Sequence, residues 1–583
     1  MNSSTLLLAL LIATLTLTTS TATRAATPSP ATSATAMAAT AHPVATQAAL
    51  DILAAGGSAA DAAIAATFAI GVVEPFSAGI GGGGFAMHFD AKTGEMKALD
   101  FREKAPAKAT RAMYLDDKGV VIANKSVDGW LSVAVPGTVQ GMVALHAAHG
   151  RLPWSRLLQP AIRAAEKGFA VSEHYVESTT RRNTALSADP EAARIFLGPR
   201  KTGDLLVQRE LAATLKAIAK DPKVMSTGKV AKAISTEMAK HGGLIDDADL
   251  ASFAPIWRTP LCGPYKSLNL CTMPPPSSGG VHLLQILKIL DDGVPKNDLA
   301  VAGWHDDAAL HRLIESMRIA YADRAVWLGD PAFVDVPVTA LTSSAYAAIR
   351  RKEIDPNKAR TAAEVKAGTP LQLGLPADTQ VPPMRATKDI PHTSHLTVVD
   401  KDRNAVSLTF TVNYGFGAAV VVKGTGILLN DEMDDFAVAP NVSNSYGLLG
   451  GDANSVAPGK IPLSSMTPLI ATRDGKFVMT AGAPGGSTII TTTLQTVLHV
   501  VDYGMDAQAA VSAPRLHQQW HPEQTRIEKQ GLDAVTKRAL EARGHTFKVA
   551  DYGWGNAMCI VQRDDGVLEG GADPRGDGSA GGL

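Results

Sequence analysis

The stretch that most constrains this chain is Asp389-Ile-Pro-His-Thr-Ser-His-Leu-Thr-Val-Val-Asp400. It marks a change of style. Upstream, Ala-rich helical spacing dominates; from Thr393 onward, alternating apolar positions predict strands 394–399 and 405–412 around the turn Asp400-Lys-Asp-Arg-Asn404. Thr393 stands at the head of that hairpin. A threonine hydroxyl is a weak nucleophile at neutral pH and needs a base to take its proton. An α-amine, with a pKa of about 7.7–8.0, can do that work. A cut between His392 and Thr393 would therefore put a nucleophile and its own base on one residue. Taken alone, a Thr before an alternating apolar run is nearly always an ordinary strand start, and the neighbours of Thr393 must decide.

The totals exclude several partners. With 583 residues, a formal net charge of −1 and a pI of about 7.0, nothing favours nucleic acid or an anionic membrane surface. The 52 glycines and 34 prolines point to many tight turns and close backbone approaches. Leu6 to Leu17 is an apolar run too short to span a bilayer, followed by Thr/Ala/Ser-rich sequence. It reads as an export signal ending near residue 26, although no Lys or Arg precedes it. Residues 27–41 read as a disordered linker. No later segment is long and apolar enough for a membrane helix, so a periplasmic or secreted protein is expected.

Local patterns set the rest of the frame. Helices are expected over 43–55, capped at Gly56-Gly57, and over 59–70, with Ser58 as N-cap. The glycines of Gly79-Ile-Gly-Gly-Gly-Gly-Phe85 match G-x-G-x-x-G, but a hairpin pattern follows and not the helix that a pyrophosphate site needs. No dinucleotide or other cofactor is expected; the glycines instead allow close backbone approach. Helices fill most of 136–250, and a further helix spans 281–290. A two-residue turn at Lys266-Ser267 would place Cys262 opposite Cys271, as a disulfide or as two free strand cysteines. Cys559 reads as a buried strand thiol. Residues 350–390 read as an exposed, mobile segment where a new chain end could be released. Strands at 427–429, 468–472, 477–481 and 558–562 alternate with helices at 489–501 and 532–543, which suggests sheets sandwiched by helices.

After Thr393 come Thr411-Val-Asn413, Asn430-Asp-Glu-Met-Asp-Asp-Phe436, Tyr446 to Asp452, Pro462-Leu-Ser-Ser-Met466 and Gly482-Ala-Pro-Gly-Gly-Ser487. With Phe101-Arg-Glu-Lys-Ala-Pro106 and Pro274-Pro-Pro-Ser-Ser-Gly-Gly280 upstream, the set resembles the γ-glutamyltransferase (γ-glutamyl transpeptidase) family of N-terminal-nucleophile hydrolases. The likeness runs from about His42 to Arg575. It implies an α/β fold of the four-layer αββα type, and a precursor that cuts itself into a large subunit, 42–392, and a small catalytic subunit, 393–583. It implies a γ-glutamyltransferase and glutathione hydrolase, needing no cofactor. Its substrates would be γ-glutamyl compounds such as glutathione, with water or an amino acid or peptide amine as acceptor.

The same likeness assigns roles. Thr393 is the nucleophile and Thr411 its hydrogen-bonding partner. Backbone N–H groups of Gly485 and Gly486 would meet the oxyanion. Arg102 would hold the substrate α-carboxylate in its planar fork, assisted by Ser464 and Ser465. Asn413, Glu432 and Asp435 would recognise the α-ammonium, and Tyr446 belongs to a lid over 440–451. Ser394 stands where some relatives carry a second Thr, and Ser58 replaces a common Asn. No G-x-S-x-G elbow occurs, and His517 and His521 lack the carboxylate motif of a zinc site. The remaining alternatives are a cephalosporin or glutaryl acylase of the same superfamily and an exported binding protein that never matures. Retained Arg102 and Asp435 argue against an acylase.

Overall fold

The computed structural model describes residues 28–291, 306–371, 392–439, 442–444, 446–529 and 531–583. Two seven-stranded antiparallel sheets lie face to face. One runs, in spatial order, Ser579–Gly582, Met37–Thr40, Ser394–Val399, Ala405–Thr411, Gly83–Phe89, Met96–Asp100 and Ile256–Arg258. The other runs Ala31–Ser33, Leu568–Ala572, Met558–Gln562, Lys476–Gly482, Leu469–Arg473, Leu268–Thr272 and Leu261–Tyr265. Phe85, Met87, Ile470, Met558 and Ile560 fill the space between them. Both sheets are buried on their inner faces and covered outside by helices, which is the αββα order expected from the sequence.

The helical cover explains the Ala-rich composition. Pro43–Ala54 and Ala59–Val73 pack on each other and on the Thr393 sheet. Nearly every residue from Ala59 to Val73 is buried, so this helix is apolar all round. Its N-terminus is a capping box: Ser58 and Asp61 each accept the other's backbone N–H. Gly279–Leu290, Asp307–Trp327 and Thr488–Val501 cover the opposite side. No described helix is long and apolar enough to cross a membrane.

The glycine run serves close approach, as its sequence context implied. A Cβ on Gly81 would sit 2.0 Å from the Leu428 carbonyl oxygen, and one on Gly82 would sit 1.8 Å from that of Thr411. Only glycine lets this strand entry press against the backbone that carries Thr411. The Leu261–Tyr265 and Leu268–Thr272 hairpin also forms in the expected register. Cys262 lies opposite Cys271, with a Cα separation of 4.1 Å, and the two form a disulfide. Because the bridge closes a short loop, replacing both cysteines by serine should cost about 2–3 kcal/mol. A denaturant titration in oxidising buffer checks this, and equal midpoints for the variant and parent would refute it.

Two expectations are corrected. Residues 31–40 are not a linker: Ala31–Ser33 and Met37–Thr40 are strands, and Met37, Ala38 and Ala39 are fully buried. The small Ala38 and Ala39, in a stretch read as low-complexity disorder, belong to a strand that pairs with Ser394–Val399 on one side and Ser579–Gly582 on the other. The described part of the supposed mobile segment, 350–371, is also packed. Arg350 is buried and donates to the Lys366 carbonyl at 2.8 Å, and Gly368 N donates to Asp323 at 2.7 Å. Residues 372–390 and the export signal lie outside the described residues, as do Pro440, Asn441 and Ser445 of the lid.

Candidate active site

The described chain runs directly from His392 to Thr393. Thr393 immediately precedes Ser394–Val399, an interior strand of its sheet, and is buried at 7% exposure. Its hydroxyl donates to the His392 carbonyl at 2.6 Å, and the Thr411 hydroxyl donates to the same oxygen at 3.1 Å. The two threonine oxygens are 3.2 Å apart. Thr411 is fixed in turn by the Asn413 N–H, which donates to it at 2.8 Å. The Thr393 hydroxyl thus lies against the carbonyl of the preceding peptide, while a second hydroxyl polarises that carbonyl.

Gly485 and Gly486 approach from the other sheet, between Lys476–Gly482 and Thr488–Val501. Their φ angles of 126° and 56° lie in the region that favours glycine. Their carbonyls accept from Thr488 and Ile489, yet among the described residues their N–H groups donate to nothing. Two donors held ready beside a buried hydroxyl suit a developing oxyanion. Substituting Gly486 by alanine strains this backbone and should lower kcat about 10²–10³-fold with folding intact. Circular dichroism alongside turnover checks that expectation; wild-type turnover would remove Gly486 from the oxyanion site.

Beside Thr393 lies a small pocket lined by Arg102, Thr411, Asn413, Glu432, Asp435, Tyr446, Ser464, Ser465 and Gly486, among others. Every candidate residue named from the sequence is therefore at this pocket except Gly485, which lines the adjoining cleft together with Thr393. Arg102 is fully buried and forms ion pairs with Glu432 and Asp435, and Glu103 lies 3.8 Å from the same guanidinium. Burial raises the affinity of all three carboxyls for protons, and Arg102 opposes that rise. Glu103 is pushed up to about 7. Arg102, with the buried Arg324 also acting on Asp435, faces three buried carboxyls, which leaves room for a further positive charge.

Surrounding segments hold this arrangement in place. The Pro274–Gly280 block clamps the serine loop: Ser278 donates twice to the Ser464 carbonyl, both at 2.8 Å, and Ser464 N donates to Pro276 O at 2.9 Å. Asn430 ties the acidic loop to the glycine run through Gly81 O and Ala134 O, each at 2.8 Å. Tyr446 lies parallel to Tyr414, 4.8 Å between centroids, and its hydroxyl donates to Asn413 Oδ1. Gln519 holds the Tyr446 carbonyl at 3.1 Å. These contacts fix Tyr446 in the wall of the pocket.

Sequence reasoning missed three residues. Glu103 follows Arg102 directly but was read only as part of its motif. Asp431 accepts the Tyr414 N–H at 2.9 Å and shapes the loop beneath the tyrosine pair. Glu74 lines the adjoining cleft and accepts from Ser394 Oγ at 2.9 Å. Its Glu-Pro dipeptide at a helix end was the only signal available. Cys559 is buried, and burial pushes its thiol well above the usual range, in keeping with the inert role read for it. His517 is engaged by Thr491 and Gln519, and among the described residues no metal-ligating cluster occurs.

Comparisons with known proteins agree with this geometry. The chain is 42% identical over 544 residues to a protein of Escherichia coli (strain K12) named glutathione hydrolase proenzyme, covering 92% of this chain and 90% of that one. It is 38% identical over 553 residues to the acylase ACY 1 proenzyme of Pseudomonas sp. (strain SE83), covering 93% and 92%. Among solved structures, a cephalosporin acylase from Bacillus halodurans superposes with a TM-score of 0.82 at 29% identity, covering 96% of this chain and 97% of that one. The gamma-glutamyltranspeptidase family description matches residues 45–583. By that match and by those relatives, this chain belongs to the gamma-glutamyltranspeptidase family of N-terminal-nucleophile hydrolases.

Proposed function

We propose that the chain cuts its own His392–Thr393 bond and then acts as a γ-glutamyltransferase with glutathione hydrolase activity. In the first step, Thr393 Oγ attacks the His392 carbonyl carbon and the peptide C–N bond breaks. The resulting ester is opened by water, which frees His392 as a carboxylate and Thr393 as an N-terminal residue. In turnover, the Thr393 amine takes the proton of its own hydroxyl as Oγ attacks the γ-carbonyl of a glutamyl amide. Negative charge gathers on the carbonyl oxygen beside Gly485 and Gly486. Collapse passes the proton to the leaving amine and leaves a γ-glutamyl ester on Thr393. Water then releases glutamate, or an amino acid or peptide amine takes the γ-glutamyl group.

The observation that carries this reading is the Arg102–Glu432–Asp435 cluster. A free α-amino acid head group is a zwitterion and can exchange with such a cluster charge for charge. Its carboxylate would take the Arg102 fork and its ammonium the two carboxyls, so no net charge is buried. An acyl group lacking the ammonium would leave those carboxyls facing a desolvated chain, which disfavours the acylase reading. Export to the periplasm or beyond, and maturation to a large–small heterodimer, are parts of the same proposal. The test is release of aniline from a γ-glutamyl anilide compared with release from a glutaryl anilide. Turnover of the γ-glutamyl compound alone is expected; preference for the glutaryl compound would favour an acylase.

A further inference from the structure

The wall of the amino-acid pocket and the oxyanion glycines are carried by separate segments, and one side chain touches both. Gln519 Nε2 donates to the Tyr446 carbonyl at 3.1 Å. Its Oε1 accepts from the hydroxyl of Ser487, the residue after Gly486, at 2.6 Å, and from His517 Nε2 at 2.7 Å. A carbonyl can only accept, so Tyr446 decides which end of the amide carries the N–H groups. The other end must be the oxygen, and Ser487 and His517 must both donate to it. His517 is therefore the Nε2–H tautomer, with Nδ1 left to accept from the Thr491 hydroxyl at 2.9 Å. Burial keeps this imidazole neutral, pushed down to about 3. Turning the amide over would set oxygen against the Tyr446 carbonyl, so one orientation alone satisfies all three partners.

We infer that Gln519 is a positioning residue that holds the head-group pocket and the oxyanion donors in register. One end of its amide fixes Tyr446, and the other fixes Ser487 and with it the adjoining Gly486 N–H. The distance between the two is the distance between the α-amino acid head group and the γ-carbonyl under attack. Gln519 acts through these neighbours and touches no reacting atom. The inference rests on the proposed reading of the pocket as a glutamyl site and of Gly485 and Gly486 as its oxyanion donors.

Each end of this strut meets something already held. Ser487 is 3% exposed, its carbonyl accepts from the Tyr321 hydroxyl at 2.6 Å, and the helix Thr488–Val501 follows it. At the other end, the Tyr446 hydroxyl reaches Asn413, whose own N–H donates to Thr411. Gly447, at φ 72°, turns the chain tightly beside the amide: a Cβ there would sit 3.2 Å from Gln519 Nε2. Gln519 is anchored through the next residue. The buried Trp520 donates its Nε1–H to the Ala362 and Val365 carbonyls, at 2.9 and 3.0 Å.

The two ends can be removed one at a time, with kcat and KM for γ-glutamyl anilide measured per mature small subunit. Gln519→Glu keeps an acceptor for Ser487 and His517 but sets a carboxylate oxygen against the Tyr446 carbonyl. It should raise KM about tenfold, the worth of one hydrogen bond, with kcat little changed. Ser487→Ala removes the opposite contact. It should lower kcat about tenfold with KM little changed, a smaller loss than for Gly486→Ala because the backbone donor itself remains. Gln519→Leu removes both ends and should show both effects. A glutamine that serves only stability would lower the melting temperature and leave both kinetic parameters of the mature enzyme alone, and that result would overturn the proposal. So would kcat and KM changing alike in Gln519→Glu and Ser487→Ala, or a failure of these two mild variants to fold and mature. If the parent itself releases no aniline, the reading of the function fails instead.

Discussion

Replacing Thr393 by alanine is expected to leave one uncut chain, at most the 60.8 kDa of the whole sequence, and no measurable aniline release. The argument is double. The side chain lost is the one that donates to the His392 carbonyl at 2.6 Å, so the cut has no attacking group. Because the cut fails, the α-amine stays in a peptide bond and the base is lost with the nucleophile. In a hydrolase where such groups act as a unit, removing the nucleophile costs about 10⁶-fold in kcat. Electrophoresis and turnover on one preparation check both arms. A Thr393→Ala chain that still divides at this bond would assign the cut to another group. Thr393→Ser keeps a hydroxyl and should still mature.

Replacing Arg102 has the next largest expected effect. Arg102→Ala removes the only cation paired with Glu432 and Asp435 among the described contacts and leaves three buried carboxyls against one another. Breaking a buried pair costs about 3–5 kcal/mol. Most of that cost should be relieved by proton uptake, so the loss of stability should grow as pH rises through the carboxyls' raised range. The sign follows from linkage: with the cation gone these groups bind protons more tightly folded than unfolded, so stability falls as pH increases. Arg102→Lys keeps a charge but not the planar fork, and should raise KM with a smaller loss of stability. Melting curves from pH 5 to 9, beside KM for γ-glutamyl anilide, distinguish the two variants. An unchanged KM in Arg102→Lys would take the α-carboxylate away from this residue.

Much of this molecule could be read from short-range signals. The hairpin 394–411, the disulfide hairpin and the helix ends at Ser58 and Gly56 depend on neighbours within a few residues, where side-chain alternation and turn chemistry act directly. The site residues were found by their motifs, but the contact between Arg102 and Glu432 spans 330 positions and no local pattern encodes it. Met37–Thr40 was missed for a related reason. Four residues, two of them alanine, carry little periodic signal, and their strand exists because two distant strands supply its hydrogen bonds. The helix Asp307–Trp327 was hidden by its own buried polar residues. Glu315, Arg318, Asp323 and Arg324 sit in the interior, so the apolar stripe that would mark a surface helix is broken.

The order of strands in the two sheets bears on what a cut at His392 would do to the molecule. In the nucleophile's sheet, Met37–Thr40 from before the cut lies between Ser579–Gly582 and Ser394–Val399 from after it. In the other sheet, strands from after the cut are flanked on both edges by strands from before it. The two products are woven into common ladders, and neither could leave without breaking both sheets. Scission would then behave as a nick within one cooperative body: it changes the count of chain ends while the fold persists. Mixing two isotopically distinct mature preparations should therefore yield no hybrid pairs short of full unfolding.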